Sequence, residues 1–191
     1  MKIGLYFGSF NPVHVGHLII ANHIAYSTDL DQVWFVVSPQ NPFKKSVSLL
    51  NEYNRLHMIQ SAIDNEKKLR ASSVEFKLPK PSYTIDTLAY LKEKYPTHKF
   101  SLIMGSDGYQ NIEKWKNFQV ILDNYRIFIY KRPGFDVNPL SISTEIRIVD
   151  APMLDISSTR IRDMIKEKRS VRYLVPDVVL DEIESNGYYR G

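Results

Sequence analysis

The sequence contains no cysteine, which excludes disulfides, thiolate metal sites and a cysteine nucleophile at once and leaves stability to packing alone. Long apolar runs are also missing: residues 33–37 and Ile103-Met104 fall far short of the roughly 20 residues that cross a bilayer. Met1-Lys2 leads straight into the apolar residues 3–7, a stretch too short for a secretory signal and without its cleavage site, so a cytoplasmic protein is expected. Basic residues are not gathered in one arm; the 25 Lys and Arg stand against 21 Asp and Glu, a formal charge of +4, and are spread along the chain. A dedicated nucleic-acid binder shows a concentrated stripe. The mild excess suits a smaller anionic ligand or simply a solvated surface. With no internal repeat, low-complexity tract or second hydrophobic centre, and with 43% hydrophobic against 24% charged residues, the chain reads as one ordered α/β domain over 1–191.

What is present alternates between strand and helix. Residues 3–7 form a short apolar run closed by Gly8-Ser9 and Asn11-Pro12, 14–26 are apolar on most sides, and 32–38 are again β-rich. That order predicts a strand-helix-strand unit with parallel, adjacent strands. Residues 39–50 read as a loop crossing a strand end, and Asn51 as the cap of a helix reaching about residue 65. The alternation at 74–78 predicts a strand stopped by Pro79-Lys80-Pro81. A helix over 84–95, a strand over 99–104, a short helical region containing Ile112, Trp115 and Phe118, and strands over 126–130 and 146–149 follow. Two terminal helices are expected over 158–167 and 176–185, with Pro176 in the first turn. The pattern is that of a doubly wound parallel sheet, whose ligands bind outside the carboxyl ends of the strands.

Two segments carry chemistry. Gly8-Ser9-Phe10-Asn11-Pro12-Val13-His14-Val15-Gly16-His17 joins a strand end, a glycine turn and a helix start to two histidines three apart. Open amides at a helix start attract phosphate, and two imidazoles on one face could hold the oxygens of a transferring phosphoryl group. Gly16 leaves room for close backbone approach. The alternatives are two ordinary core histidines or a zinc pair, although His23, His57 and His98 supply no recognisable third ligand spacing. In Ile156-Ser157-Ser158-Thr159-Arg160-Ile161-Arg162 a loop becomes a helix, again suited to phosphate or to a plain serine cap with solvated arginines. Arg160 and Arg162 are two apart, so at most one reaches a shared ligand.

These segments resemble the HxGH nucleotidyltransferase superfamily. Ser82-Tyr83-Thr84-Ile85-Asp86-Thr87-Leu88, Gly105-Ser106-Asp107 followed by Trp115, and Lys131-Arg132-Pro133-Gly134 extend the resemblance to its bacterial nicotinate mononucleotide adenylyltransferase branch, from Gly4 to Arg162. The resemblance implies a Rossmann-like nucleotidyltransferase fold and adenylyl transfer from ATP to nicotinate mononucleotide, giving deamido-NAD and pyrophosphate. It implies that His14, His17 and Arg162 act on the phosphates, with Ser157 and Ser158 assisting and Gly8, Ser9 and Phe10 contacting both substrates. Gly105 and Asp107 would bind the ATP ribose, and Thr84, Trp115, the Lys116 backbone and Arg132 the nicotinate end. Lys44 matches a loop lysine that reaches phosphate, although Phe43 stands where the commoner loop has histidine; Lys116 replaces an aromatic residue found in many members. Magnesium would arrive mainly on the triphosphate and water, so no metal-binding residue is named. The implied partners are the two small molecules, with no nucleic acid or membrane and room for a homo-oligomer. The rival readings are another transferase of this fold, such as the pantetheine-phosphate enzyme, a nucleotide sensor without turnover, and an RNA binder.

Overall fold

Six runs rich in β-branched and aromatic residues lie side by side in the computed structural model, which describes residues 1–40, 49–135, 137, 145–152 and 154–190. They are β1 (Lys2–Gly8), β2 (Gln32–Val37), β3 (Leu69–Ser72), β4 (Lys99–Gly105), β5 (Arg126–Tyr130) and β6 (Ile146–Val149). All pairs are parallel, in the order β3-β2-β1-β4-β5-β6. The helices are α1 (Val15–Ser27), α2 (Glu52–Ala62), α3 (Thr84–Lys94), α4 (Ser106–Tyr109), α5 (Phe118–Asn124), α6 (Ser158–Lys166) and α7 (Asp177–Asn186). Among the described residues no helix is long and apolar enough to cross a membrane.

A parallel sheet must be covered on both faces, so its strands are apolar at successive positions. One face carries Tyr6, Phe35, Phe128 and the core residues of α1, α2, α6 and α7. The other carries Leu5, Trp34, Leu102 and Ile127 with Leu88 of α3 and Ile121 of α5. Asn51 caps α2 as expected, its side chain accepting the Tyr53 amide at 2.9 Å.

Two local expectations are corrected. Residues 74–78 are not a strand: Val74–Lys77 form a 3-10 turn, and the strand that pairs with β2 is the preceding Leu69–Ser72. The alternation of apolar and polar residues there arises because Val74 packs on the α3 face while Glu75, 1% exposed, turns into a polar pocket. Pro176 is the N-cap of α7 and precedes its first turn.

The strand order reverses direction between β1 and β4, both of which are central. Their pairing ends at Tyr6 and Ile103, yet β1 runs on to Gly8 and β4 to Gly105. The chain ends therefore part, and a crevice opens where doubly wound sheets bind ligands.

At the opposite end of the sheet Asp29 accepts from Lys2 at 2.8 Å and from Arg126 at 2.9 Å, and Arg126 also meets Glu145 at 2.5 Å. The hydrogen bond from Lys2, with help from Arg126, draws the Asp29 carboxyl down to about 2. A depressed carboxyl stabilises the fold above its unfolded pKa and loses that contribution as pH falls toward the folded value. Asp29→Asn should lower stability by about 1 kcal/mol or less at pH 7, as half-exposed pairs do. Urea unfolding should show the gap to the unsubstituted chain closing between pH 4 and pH 2.

Candidate active site

The turn after β1 is built to hold its backbone still. Phe10 sits at φ 44°, in the left-handed region that side chains other than glycine seldom adopt. Burial of its ring offsets that strain: Phe10 is 2% exposed and packs edge-on against Tyr6, Phe35 and His17. The same ring lies 2.8 Å from where a Cβ on Gly8 would be, which is why glycine ends the strand.

Protein donors fill the carbonyls of this turn. The Ser38 amide donates to Gly8 at 2.9 Å, Arg55 Nη1 to Ser9, Arg162 Nη1 to Asn11 at 2.8 Å, and Ser158 Oγ to Pro12 at 2.9 Å. The Asn11 side-chain oxygen accepts from the Leu50 amide and from the Tyr189 hydroxyl. Arg55 is fully buried. Besides Ser9 it donates to the carbonyls of Ser38 at 3.0 Å and Leu50 at 2.8 Å, and its burial pulls its pKa below the usual arginine value.

His14 is the N-cap of α1 and His17 the third residue of the helix. Their rings stack at 3.6 Å between centroids. The amides of the first turn are largely spent on protein: Val15 donates to Leu174, His17 to the His14 carbonyl and His14 to His17 Nδ1 at 3.3 Å. The expected row of open amides is thus absent at these three residues, and the imidazoles take its place. Because Nδ1 of His17 accepts, its proton resides on Nε2, making that atom a donor. Because the His17 amide goes to a carbonyl, His14 Nδ1 is buried without a partner. Gly16 makes room, but for the His14 ring, which lies 3.1 Å from a would-be Cβ.

Burial, and secondarily the charge of Arg132, depresses His14 to about 4. The ring is neutral at pH 7, and an arriving polyanion would raise its proton affinity.

A cavity of about 790 Å³ unites the predicted groups, a volume suited to a small ligand. Gly8, Ser9, Phe10, His14 and His17 line it from β1 and α1, Gly105 and Asp107 from β4, Arg132 from the end of β5, and Ser157, Ser158 and Arg162 from α6. Arg160 is exposed outside it, as the two-residue spacing requires. Ser157 also caps α6, accepting the Arg160 amide at 3.2 Å. Arg132 is held against Asp107 at 3.0 Å, so it stands beside the predicted ribose carboxylate, and its charge reaches His14. A Cβ at Gly105 would displace the Asp107 carboxylate and crowd Tyr130 at 3.1 Å.

Trp115 lines the far end of the cavity, whereas Thr84 and Lys116 do not line it. Lys116 pairs with Asp86 at 2.9 Å and lies over the Tyr83 ring. Thr84 is the first residue of α3. Lys44 lies outside the described residues. Among the described residues no group of three or more His, Asp or Glu is arranged to hold a metal ion.

The chain's reading missed Tyr6, Asn111, Lys114 and Tyr130, which also line the cavity, and the clamp formed by Arg55 and Tyr189. Tyr6 and Tyr130 sat in strands read as core, and their hydroxyls meet at 3.3 Å beneath the crevice. Asn111 and Lys114 follow the Gly105-Ser106-Asp107 turn closely enough to have been candidates.

Comparison with known proteins gives the family and the fold. The family model described as cytidylyltransferase-like matches residues 5–164. A protein of Cytophaga hutchinsonii named "Probable nicotinate-nucleotide adenylyltransferase" is 54% identical over 99% of this chain and 98% of its own. One of Flavobacterium psychrophilum with the same name is 50% identical over all of both chains. The Plasmodium falciparum nicotinic acid mononucleotide adenylyltransferase, solved with NaAD, superposes with a TM-score of 0.83 at 21% identity, covering 98% of this chain and 97% of its own. At that identity the likeness speaks for the fold.

His14 sets a pH dependence. Its folded pKa lies below the unfolded value, so the neutral ring stabilises the fold above about 6.5 and that contribution is lost as pH falls toward 4. Thermal unfolding of the ligand-free protein should lose Tm across this window, and His14→Gln should flatten that part of the profile.

Proposed function

The chain belongs to the cytidylyltransferase-like family and, within it, to the nicotinate-nucleotide adenylyltransferases, and from that premise we propose that it joins ATP to nicotinate mononucleotide to give deamido-NAD and pyrophosphate. The observation that carries the reading is the meeting of His14, His17 and Arg162 in one cavity at the β1/β4 crevice. It rests further on relatives that match from end to end under that name.

The phosphate of the mononucleotide attacks the α-phosphorus of ATP in line. A new P–O bond forms as the bond to the β-phosphate bridge breaks, and the electron pair leaves with pyrophosphate. The nucleophile is already an anion, so a general base is dispensable, and catalysis consists of alignment and charge neutralisation. His17 Nε2–H and the neutral His14 ring donate to the α-phosphate oxygens. Their value lies in being fixed before the reaction: the His14 amide sets the His17 ring, and a preset donor spends no energy on reorientation as charge develops.

Arg162 is already anchored to the Asn11 carbonyl and to Thr159 Oγ1. Those bonds use two of a guanidinium's five N–H groups, and the rest serve the departing β- and γ-phosphates together with Ser157 and Ser158. Gly105 and Asp107 receive the ATP ribose, with Arg132 holding the carboxylate in place. Gly8, Ser9 and Phe10 lie where the two substrates meet. Trp115 lies at the nicotinate end, with Thr84 and Lys116 behind it, outside the cavity lining.

Magnesium carried by the triphosphate would supply neutralisation of phosphate charge. This fits a site whose carboxylate, Asp107, is already committed to Arg132, and no residue is named as its ligand. The reaction needs only small molecules, and we place it in the cytoplasm; nucleic acid and membrane have no part in it, and one domain suffices. A homo-oligomer is compatible with it.

Pyrophosphate release from ATP should be fastest with nicotinate mononucleotide, slower with nicotinamide mononucleotide and absent with phosphopantetheine. A different preferred acceptor overturns the reading. His17→Ala should lower turnover by about a hundredfold or more, the usual cost of deleting one such donor, with an unchanged thermal transition.

A further inference from the structure

Glu75 is 1% exposed and is not part of the cavity lining. It lies in the 3-10 turn before α3, and Thr87 Oγ1 donates to its Oε1 at 2.8 Å. The hydroxyls of Ser38 and Ser82 approach its other side, yet Oε2 and Ser82 Oγ each stop short of a formed hydrogen bond. Among the described residues, the groups that act on the carboxyl are hydroxyls. Burial raises its pKa, and the three hydroxyls only partly offset the rise.

The residues it touches are not scattered. Ser82 and Thr87 bracket the segment that opens α3. That segment is fastened to the cavity wall on two sides: the Ser82 amide donates to the Gln40 carbonyl at 3.2 Å, and Asp86 pairs with Lys116 next to Trp115. Gln40 and Trp115 both line the cavity. On the other side Ser38 follows β2 directly, its carbonyl taken by Arg55, which also holds Ser9 of the phosphate turn. Arg55 thus joins the turn at Ser9 to Ser38, whose hydroxyl acts on Glu75, and Glu75 in turn accepts from Thr87.

We infer that Glu75 is a positioning residue for the mononucleotide: from beneath α3 it holds residues 82–87, through the Thr87 hydroxyl, beside the carboxyl end of β2 and so fixes the nicotinate end of the cavity. This rests on the function proposed above. An apolar residue at this position would remove the acceptor of Thr87 Oγ1, leaving that hydroxyl only its 3.4 Å contact with the Tyr83 carbonyl, a cost relieved by movement of the segment. Glutamine would keep one acceptor and one donor in nearly the same places.

Steady-state kinetics with both substrates varied tests this. Glu75→Ala should raise KM for nicotinate mononucleotide tenfold or more while KM for ATP stays within twofold, and Glu75→Gln should restore the mononucleotide KM to within threefold of the unsubstituted chain. Thr87→Val removes one hydroxyl at constant volume and should raise the mononucleotide KM about threefold, which keeps the test open if Glu75→Ala does not fold. Equal rises in both KM values, a fall in kcat alone, or Glu75→Gln as impaired as Glu75→Ala would each overturn the assignment. The unsubstituted chain separates the two levels: no turnover of nicotinate mononucleotide removes the function itself, whereas normal turnover with an unselective variant pattern removes only the role of Glu75.

Discussion

The structure depends on how the carbonyls of one turn are satisfied. Between β1 and α1 the backbone changes direction where the sheet leaves a crevice, and buried carbonyls there need donors. Those of Gly8, Ser9, Asn11 and Pro12 receive them from β2's end, α2 and α6. The donors come from elements far apart in sequence, so the turn acquires its shape only when the whole sheet has assembled. Arg55 shows the strength of the constraint. A guanidinium with no exposed surface is tolerated because it serves carbonyls on three segments at once, and desolvating a charge is acceptable only with such compensation.

Electrostatic tuning follows from the same packing. His14 is neutral because it is buried near a cation, and His17 presents Nε2–H because its other nitrogen is occupied by a backbone amide. The crevice therefore offers directed donors and one anchored guanidinium, with Arg132 partly neutralised by Asp107. A site of this kind suits a polyanion that brings its own cation, and it avoids the repulsion that several unpaired positive groups would suffer before the ligand arrives.

Much of this was legible because certain residues have few other uses. A strand ending in glycine, followed by two histidines three apart, marks the crevice, and the loop-to-helix segment at 156–162 marks its second wall. Both proved to line one cavity. The reading failed where two periods coincide: residues 74–78 alternate as a strand does, yet Glu75 points inward for a polar reason and its neighbours form a single turn. It was also silent about Arg55. An arginine in an amphipathic helix looks solvated in sequence, and only the closure of α2 over the ends of β1 and β2 removes it from water. Tyr189 was equally hidden, because its hydroxyl reaches Asn11 across 178 positions.

The sequence by itself determined the alternation of elements, the double-faced apolar strands and the two segments that line the cavity, because hydrophobic period and turn chemistry are local properties. Tertiary structure alone decided which donors are spent and which remain, the protonation of the histidines, the pairing of Arg132 with Asp107, and the contact of Glu75 with Thr87. Those depend on desolvation and on distances between residues remote in the chain, and neither exists until the sheet has closed.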